Sequence, residues 1–264
     1  MLTNKKLVVS NNIWEFYEYG KGMKLGSRGP SQNYPRNGKK ENKLENRQLS
    51  ISRSRKNLRW LINTNTKVNY DKNGREVTFK FLTLTFKKNI QDIEQSNYLF
   101  KKFIQRLSYH VYKKENILKY AVVIEFQKRG AIHYHIIIFN MPYVLALTIN
   151  EIWKVGSQGQ GSIKIEKIYN IQNAGSYICK YMSKDMADPR LCGKKAYFTS
   201  RNLEKPKTFY YWRDIQLIKY LLDDKSKLYE REFENKYCGK SKLTVYDVSK
   251  NEDFKRQALA YLGL

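Results

Sequence analysis

From Val77 to Ile168 the apolar residues change period in the order strand, helix, strand, strand, helix, strand, and few folds accept that order. Val77 to Phe86 alternates around Phe-Leu-Thr-Leu-Thr-Phe and predicts a strand. From Asp92 to Tyr112, Leu99/Phe100, Phe103/Ile104, Leu107 and Val111 recur at helical spacing. Tyr120 to Gln127 and Ile132 to Phe139 predict two further strands, with Lys128 to Gly130 as the turn between them. Pro142 opens a helix reaching Trp153, Gly156 to Gly161 is a Gly/Gln turn, and Ser162 to Ile168 alternates as a fourth strand. A helix over Ile171 to Lys184 follows. This is the split βαβ order of an α+β fold, an antiparallel sheet with the topology of the ferredoxin-like and RNA-recognition palms. Helices on one face leave the other face free for a ligand.

The flanks are less patterned. Residues 15–57 are polar and basic, with Gly-Ser-Arg-Gly-Pro at 26–30 and Arg-Asn-Gly-Lys-Lys at 36–40, and suggest a flexible or nucleic-acid-contacting arm. Ser54 is placed to cap a short helix whose Leu58, Leu61 and Ile62 share a face. Beyond Met186 the chain is basic and mixed, with Phe209 to Leu222 helical in pattern. The expected division is a basic N-terminal arm over 1–52, the central domain over 53–210 and a basic C-terminal extension over 211–264.

Charge narrows the partners. Lys and Arg number 50 against 24 Asp and Glu, a net charge of +26, which attracts polyanions. Membrane is the weakest candidate: the longest apolar run, Ile136 to Ile149, is broken by Asn140 and Pro142 and is too short to span a bilayer. Met1 to Ser10 has no secretory apolar core. Cys179, Cys192 and Cys238 are odd in number and lack metal-pair spacing, so they read as free thiols in a reducing compartment.

The chain has three histidines, and two of them form His133-Tyr134-His135. On a strand both imidazoles project from one face and Tyr134 from the other. A three-residue loop, Arg129-Gly130-Ala131, would set Glu125 opposite His135 and Gln127 opposite His133 on that same face. A two-residue loop would send Glu125 to the far face. Two imidazoles and a carboxylate make a three-ligand site with open positions, as a catalytic metal requires, and by ligand type alone suit Zn, Mn or Fe. The plainer reading is two surface histidines on a basic protein.

A second cluster lies in Gly175-Ser-Tyr177-Ile-Cys-Lys180-Tyr181-Met-Ser-Lys184. Tyr177 and Tyr181 are four apart and share a helical face, and each is followed three residues later by Lys180 or Lys184. A tyrosine hydroxyl, with a reference pKa of about 10, is a poor nucleophile unless a cation stabilises the phenolate. With 21 tyrosines in the chain, a packing pair is the competing explanation.

Taken in order, Phe81-Leu-Thr-Leu-Thr85, Glu125 with His133-Tyr134-His135, and Tyr177-x-x-Lys180-Tyr181 resemble the three motifs of HUH endonucleases. The likeness is to the replication-associated initiators (Rep proteins) of small rolling-circle phages and plasmids. It extends over roughly residues 50 to 210, taking in Arg53 to Asn63, Trp153 with the Gly turn, and Phe198 to Pro206, with Asn202 where a Gly is expected. Metal motif before tyrosine resembles replication initiators; conjugative relaxases have the reverse order.

The resemblance implies a DNA nickase and strand transferase. Glu125, His133 and His135 would hold Mg²⁺ or Mn²⁺ on the scissile phosphate. Tyr177 would form a 5′-phosphotyrosine, with Tyr181, Lys180 and Lys184 assisting on a helix near the metal site. Its partners would be single-stranded DNA at a replication origin and the polymerase and helicase of a bacterial host, in the host cytoplasm. Gly156 to Gly161 continues as Ser162-Ile163 and is no P-loop, so unwinding would fall to that helicase. Two alternatives stand beside this one. A single-tyrosine HUH transposase would use the same metal site but could spare Tyr181. A non-catalytic RNA-recognition-like module would need aromatics where the histidines stand.

Overall fold

The computed structural model describes residues 2–24, 41–67, 69–70, 73–156, 161–167, 175–176, 179, 188–191, 194–195, 197–235 and 238–264. Two compact units result: Glu45–Glu204, and Met1–Leu44 together with Lys205–Leu264.

The first unit contains the split βαβ order. β5 (Lys80–Phe86), α2 (Ile93–Tyr112), β6 (Tyr120–Phe126), β7 (Ile132–Ile138), α3 (Ala146–Gly156) and β8 (Gly161–Lys167) follow one another as expected. A fifth strand, β9 (Tyr197–Thr199), joins the edge, giving the order β8-β5-β7-β6-β9 with every pair antiparallel. A small ladder of β3 (Asn69–Tyr70) and β4 (Glu76–Val77) precedes it.

Helix α2 forms where the pattern placed it. Asp92 caps its start, accepting from the backbone N–H of Glu94 at 2.8 Å. Leu99, Phe100, Phe103, Ile104 and Leu107 are all buried, the stripe expected of an amphipathic helix. They close over Leu82, Leu84, Val122, Ile124, Tyr134 and Ile136 of the sheet. Burying Phe103 fully contributes about 1.5–3 kcal/mol. Helix α3 begins four residues later than Pro142 suggests and anchors through buried Trp153, whose indole N–H donates to the Thr85 carbonyl at 3.0 Å.

The opposite face is not left wholly free. Helix α1 (Glu41–Asn65) runs 25 residues, so Ser54 lies inside it instead of capping it. Its Leu58 and Ile62 are buried, the face expected, and pack with Phe81, Ala121, Val123, Ile137 and Phe139. Asn202 does not take a left-handed conformation; its amide donates to the carbonyls of Asn116 and Ile117 at 3.2 and 3.1 Å.

The second unit is built around β1 (Leu2–Ser10) and β2 (Ile13–Lys24), so residues 13–24 are strand and not a flexible arm. With β10 (Lys207–Phe209), β11 (Lys227–Asn235) and β12 (Gly239–Asp247) they form an antiparallel sheet in the order β10-β1-β2-β12-β11. The helix expected over Phe209 to Leu222 is α4 (Trp212–Leu221), because Phe209 pairs with Leu7 in the sheet. Ile215 and Ile218 of α4 and Ala258 of α5 (Glu252–Tyr261) pack with Leu7, Val9, Trp14 and Phe16. The basic runs at 26–30 and 36–40 lie outside the described residues.

Candidate functional site

The hairpin between β6 and β7 decides where Glu125 falls. Glu125 pairs with His133, and His135 with Val123. The register is displaced from the expected one by two residues of β6, a whole pleat repeat, so Glu125, His133 and His135 still share one face. The cause is the loop: Lys128-Arg129-Gly130 makes the turn, and Ala131 returns to the ladder by accepting from the Gln127 N–H at 2.8 Å. Gly130 closes it at φ +89°, a left-handed conformation that suits glycine, and donates to the Gln127 carbonyl at 2.8 Å. Arg129 ties the loop to the end of β5 through the carbonyls of Phe86 and Lys87 at 2.6 and 3.1 Å.

Cross-strand pairing then lays polar rows over this face. Thr85 stands opposite His133 and Ser162, and Thr83 opposite His135 and Lys164. The next row, Phe81 opposite Ile137, is apolar and lies in the cluster with α1. The ligand candidates occupy the polar end.

Within that end, Glu125 Oε2 and His135 Nε2 are in direct hydrogen-bond contact. His135 Nδ1 meets Thr83 Oγ1 at 3.2 Å, and its ring stacks on Phe81 at 5.8 Å and 12°. The second contact fixes the ring, as partners of metal-ligating histidines do. His133 differs: its Nε2 is buried without a hydrogen-bond partner. Burial lowers the His133 pKa, helped by His135 and Arg129 and opposed by Glu125, which favours the neutral imidazole that can ligate.

Among the described residues no three His, Cys, Asp or Glu side chains converge into a ready metal cage. The closest association is the Glu125–His135 pair, with the unpartnered His133 nitrogen opposite Glu125 in the ladder. An orphaned buried imidazole nitrogen is costly unless something occupies it. A carboxylate touching an imidazole nitrogen is the arrangement two ligands take with a proton in the ion's place. The donor set therefore fits a divalent cation.

Tyr177, Lys180, Tyr181 and Lys184 lie outside the described residues. Their neighbours are described. The Gly175 N–H donates to Asn63 Oδ1 of α1 at 2.6 Å, and Cys179 is buried with Leu58, Ile62, Val123 and Ile137. A Cβ at Gly175 would stand 2.4 Å from the Arg59 carbonyl oxygen. Burial pushes the Cys179 thiol up to about 12, so it is an inert packing group. Cys179 and Cys238 are free, and Cys192 lies outside the described residues.

Sequence reasoning gave no role to Phe81, Thr83 or Thr85, although their alternation places them on the histidine face once β5 pairs with β7. It missed Asn63 entirely, because nothing local links it to Gly175, 112 residues away. Among the described residues no helix is long and apolar enough to cross a membrane. No curated protein and no solved structure gives a significant match to the chain. Residues 79–186, which run from the edge of β5 through both histidines and both tyrosines, match the family model for replication-associated proteins of the ORF2 type, a rolling-circle replication initiator family, and mark the chain as a replication-associated protein.

Proposed function

We propose that this protein nicks one strand of a replication origin through Tyr177 and later rejoins it, so initiating rolling-circle replication. The carrying observation is the Glu125–His135 contact beside the unpartnered His133 nitrogen, inside the segment that matches a rolling-circle initiator family. Glu125, His133 and His135 would hold Mg²⁺ or Mn²⁺, which supplies Lewis-acid polarisation of the scissile phosphate. The chain's own residues do the rest. The phenolic oxygen of Tyr177 attacks phosphorus and loses its proton to solvent. The bond from phosphorus to the 3′ oxygen breaks, and that oxygen takes up a proton to become the 3′-OH that primes synthesis. The 5′ phosphate remains esterified to Tyr177, so the energy of the phosphodiester is kept for resealing. The ammonium groups of Lys180 and Lys184 stabilise phenolate charge on the tyrosines that precede them. Tyr181 makes the second nick after a full circle. A host helicase and polymerase unwind and copy the template in the bacterial cytoplasm.

The test is an origin oligonucleotide incubated with the protein, with and without EDTA, and resolved on a denaturing gel. A covalent adduct is expected with Mg²⁺ or Mn²⁺ and none with EDTA. His133→Ala, His135→Ala and Tyr177→Phe should each lose the adduct while still binding the oligonucleotide, since phosphate contacts are spread elsewhere. Metal-dependent nicking that survives His135→Ala would sink the proposal. Tyr181→Phe should nick but fail to release unit-length circles; normal release would assign the protein to the single-tyrosine alternative.

A further inference from the structure

The face of the sheet opposite the histidines is covered by α2 and α3, yet that cover has an opening. Where the first turns of α2 pass β6 and the edge strand β9, there is a cleft of about 510 Å³. Phe100, Tyr120 and Phe198 line it, with the Phe100 ring meeting Phe198 at 5.2 Å and Tyr120 at 5.9 Å, both edge to face. Lys101, Lys194 and Lys195 stand exposed along the lining, and none has an ion pair among the described residues. Glu94 is the one carboxylate beside them, so cations outnumber it.

Asn97 gives the cleft a directional polar group. Its Oδ1 accepts a hydrogen bond from the buried Tyr134 hydroxyl at 2.9 Å, and that hydroxyl also meets Ser96 Oγ at 2.9 Å. With the oxygen so engaged, the amide N–H groups are what Asn97 can offer a ligand. They have no partner among the described residues. Tyr134 is the residue between the two histidines, and strand alternation sends it through the sheet to this side.

We propose that this cleft binds one nucleotide unit, with its base against the aromatic lining and its phosphate among the lysines. The volume lies within the range of small-molecule sites. A flat aromatic base matches the ring-lined wall, a base carbonyl or ring nitrogen accepts from Asn97, and the lysines neutralise phosphate. Nothing in this requires cleavage; the inference borrows from the proposed function only that the natural source is a base carried in a DNA strand. A free nucleotide presents the same chemistry.

The test is equilibrium binding in EDTA, where no nicking contributes, using short oligodeoxythymidylate and thymidine 5′-monophosphate, with inorganic phosphate as control. Asn97→Asp keeps an acceptor for Tyr134 but removes the donor and adds a negative charge. It should weaken oligonucleotide binding by about five- to tenfold with the melting temperature unchanged, and Lys101→Ala with Lys194→Ala should act in the same direction. Photo-crosslinking with an oligonucleotide containing 5-iododeoxyuridine should label peptides bearing Tyr120 or Phe198. Competition for that label by thymidine monophosphate would identify a free-nucleotide site; competition by oligonucleotide alone would identify a strand-borne base. Unchanged affinity in Asn97→Asp, with no label on either peptide, would overturn the proposal. Because the label is read in EDTA, loss of nicking in Tyr177→Phe leaves it intact, so the two proposals fail separately.

Discussion

His135 has a partner for each part of its ring: Thr83 at Nδ1, Glu125 at Nε2 and Phe81 against its face. His133, by contrast, keeps an unpartnered nitrogen in a buried position. An orienting set on one ligand and an open valence on its neighbour is what a metal-binding face requires before the ion arrives. Far from this site, Glu18 shows the opposite arrangement, with every charge answered. Burial would raise its pKa, but hydrogen bonds from Lys219 and Lys5, each at 2.8 Å, overcome that and hold the carboxyl at about 2 against an ordinary 4.5. A depressed folded-state pKa means that Glu18 contributes its full stability above the ordinary value and loses it as pH falls through the folded one. Glu18→Gln should therefore cost roughly 1 kcal/mol near neutrality. Denaturant titrations across a pH series should show that difference shrinking from 4.5 down to about 2. A deficit equally large at the acid end would show that Glu18 acts through packing and not through charge.

At the scale of the element, the β6–β7 hairpin and the α1 contact do the positioning. The hairpin was legible to its parity and no further. Alternation fixes which residues share a face, and Gly130 marks a three-residue turn, but only the ladder shows that the turn is Lys128-Arg129-Gly130 and that Glu125 faces His133. A displacement of one pleat repeat leaves the face unchanged, so hydrophobic patterning could not detect it. The α1 contact was not legible at all. Gly175 approaches α1 so closely that a Cβ would stand 2.4 Å from the Arg59 carbonyl oxygen and 2.6 Å from Asn63 Oδ1. The first of these is helix backbone and cannot swing aside. Gly175→Ala should lower stability by about 1–3 kcal/mol. Because Gly175 begins the segment bearing Tyr177, adduct formation should drop as well, with oligonucleotide binding retained. Chemical denaturation and the adduct assay would check both, and a variant as stable and active as the parent would show that α1 yields there.

For the whole molecule, the governing quantity is the net charge of +26. Binding to single-stranded DNA should weaken steeply with salt, each neutralised phosphate adding a slope of about −0.7 in log K against log salt. Affinities measured from low to physiological salt would test this, and a flat response would mean that the basic surface is not a DNA footprint. The sequence alone determined the split βαβ order, the shared face of Glu125, His133 and His135, the helical stripe of α2 and the ordered motifs over the segment that matches the initiator family. Each is a property of residues close together in the chain, where side-chain period and turn chemistry decide. Tertiary structure alone decided the rest. Residues 2–24 became strands because β10, β11 and β12, from the far end of the chain, complete their sheet. β9 found the edge beside β6, α1 covered the apolar end of the histidine face, and Tyr134 fixed Asn97 at the mouth of a cleft. Those outcomes depend on which distant surfaces bury one another, and no local period encodes the choice of partner.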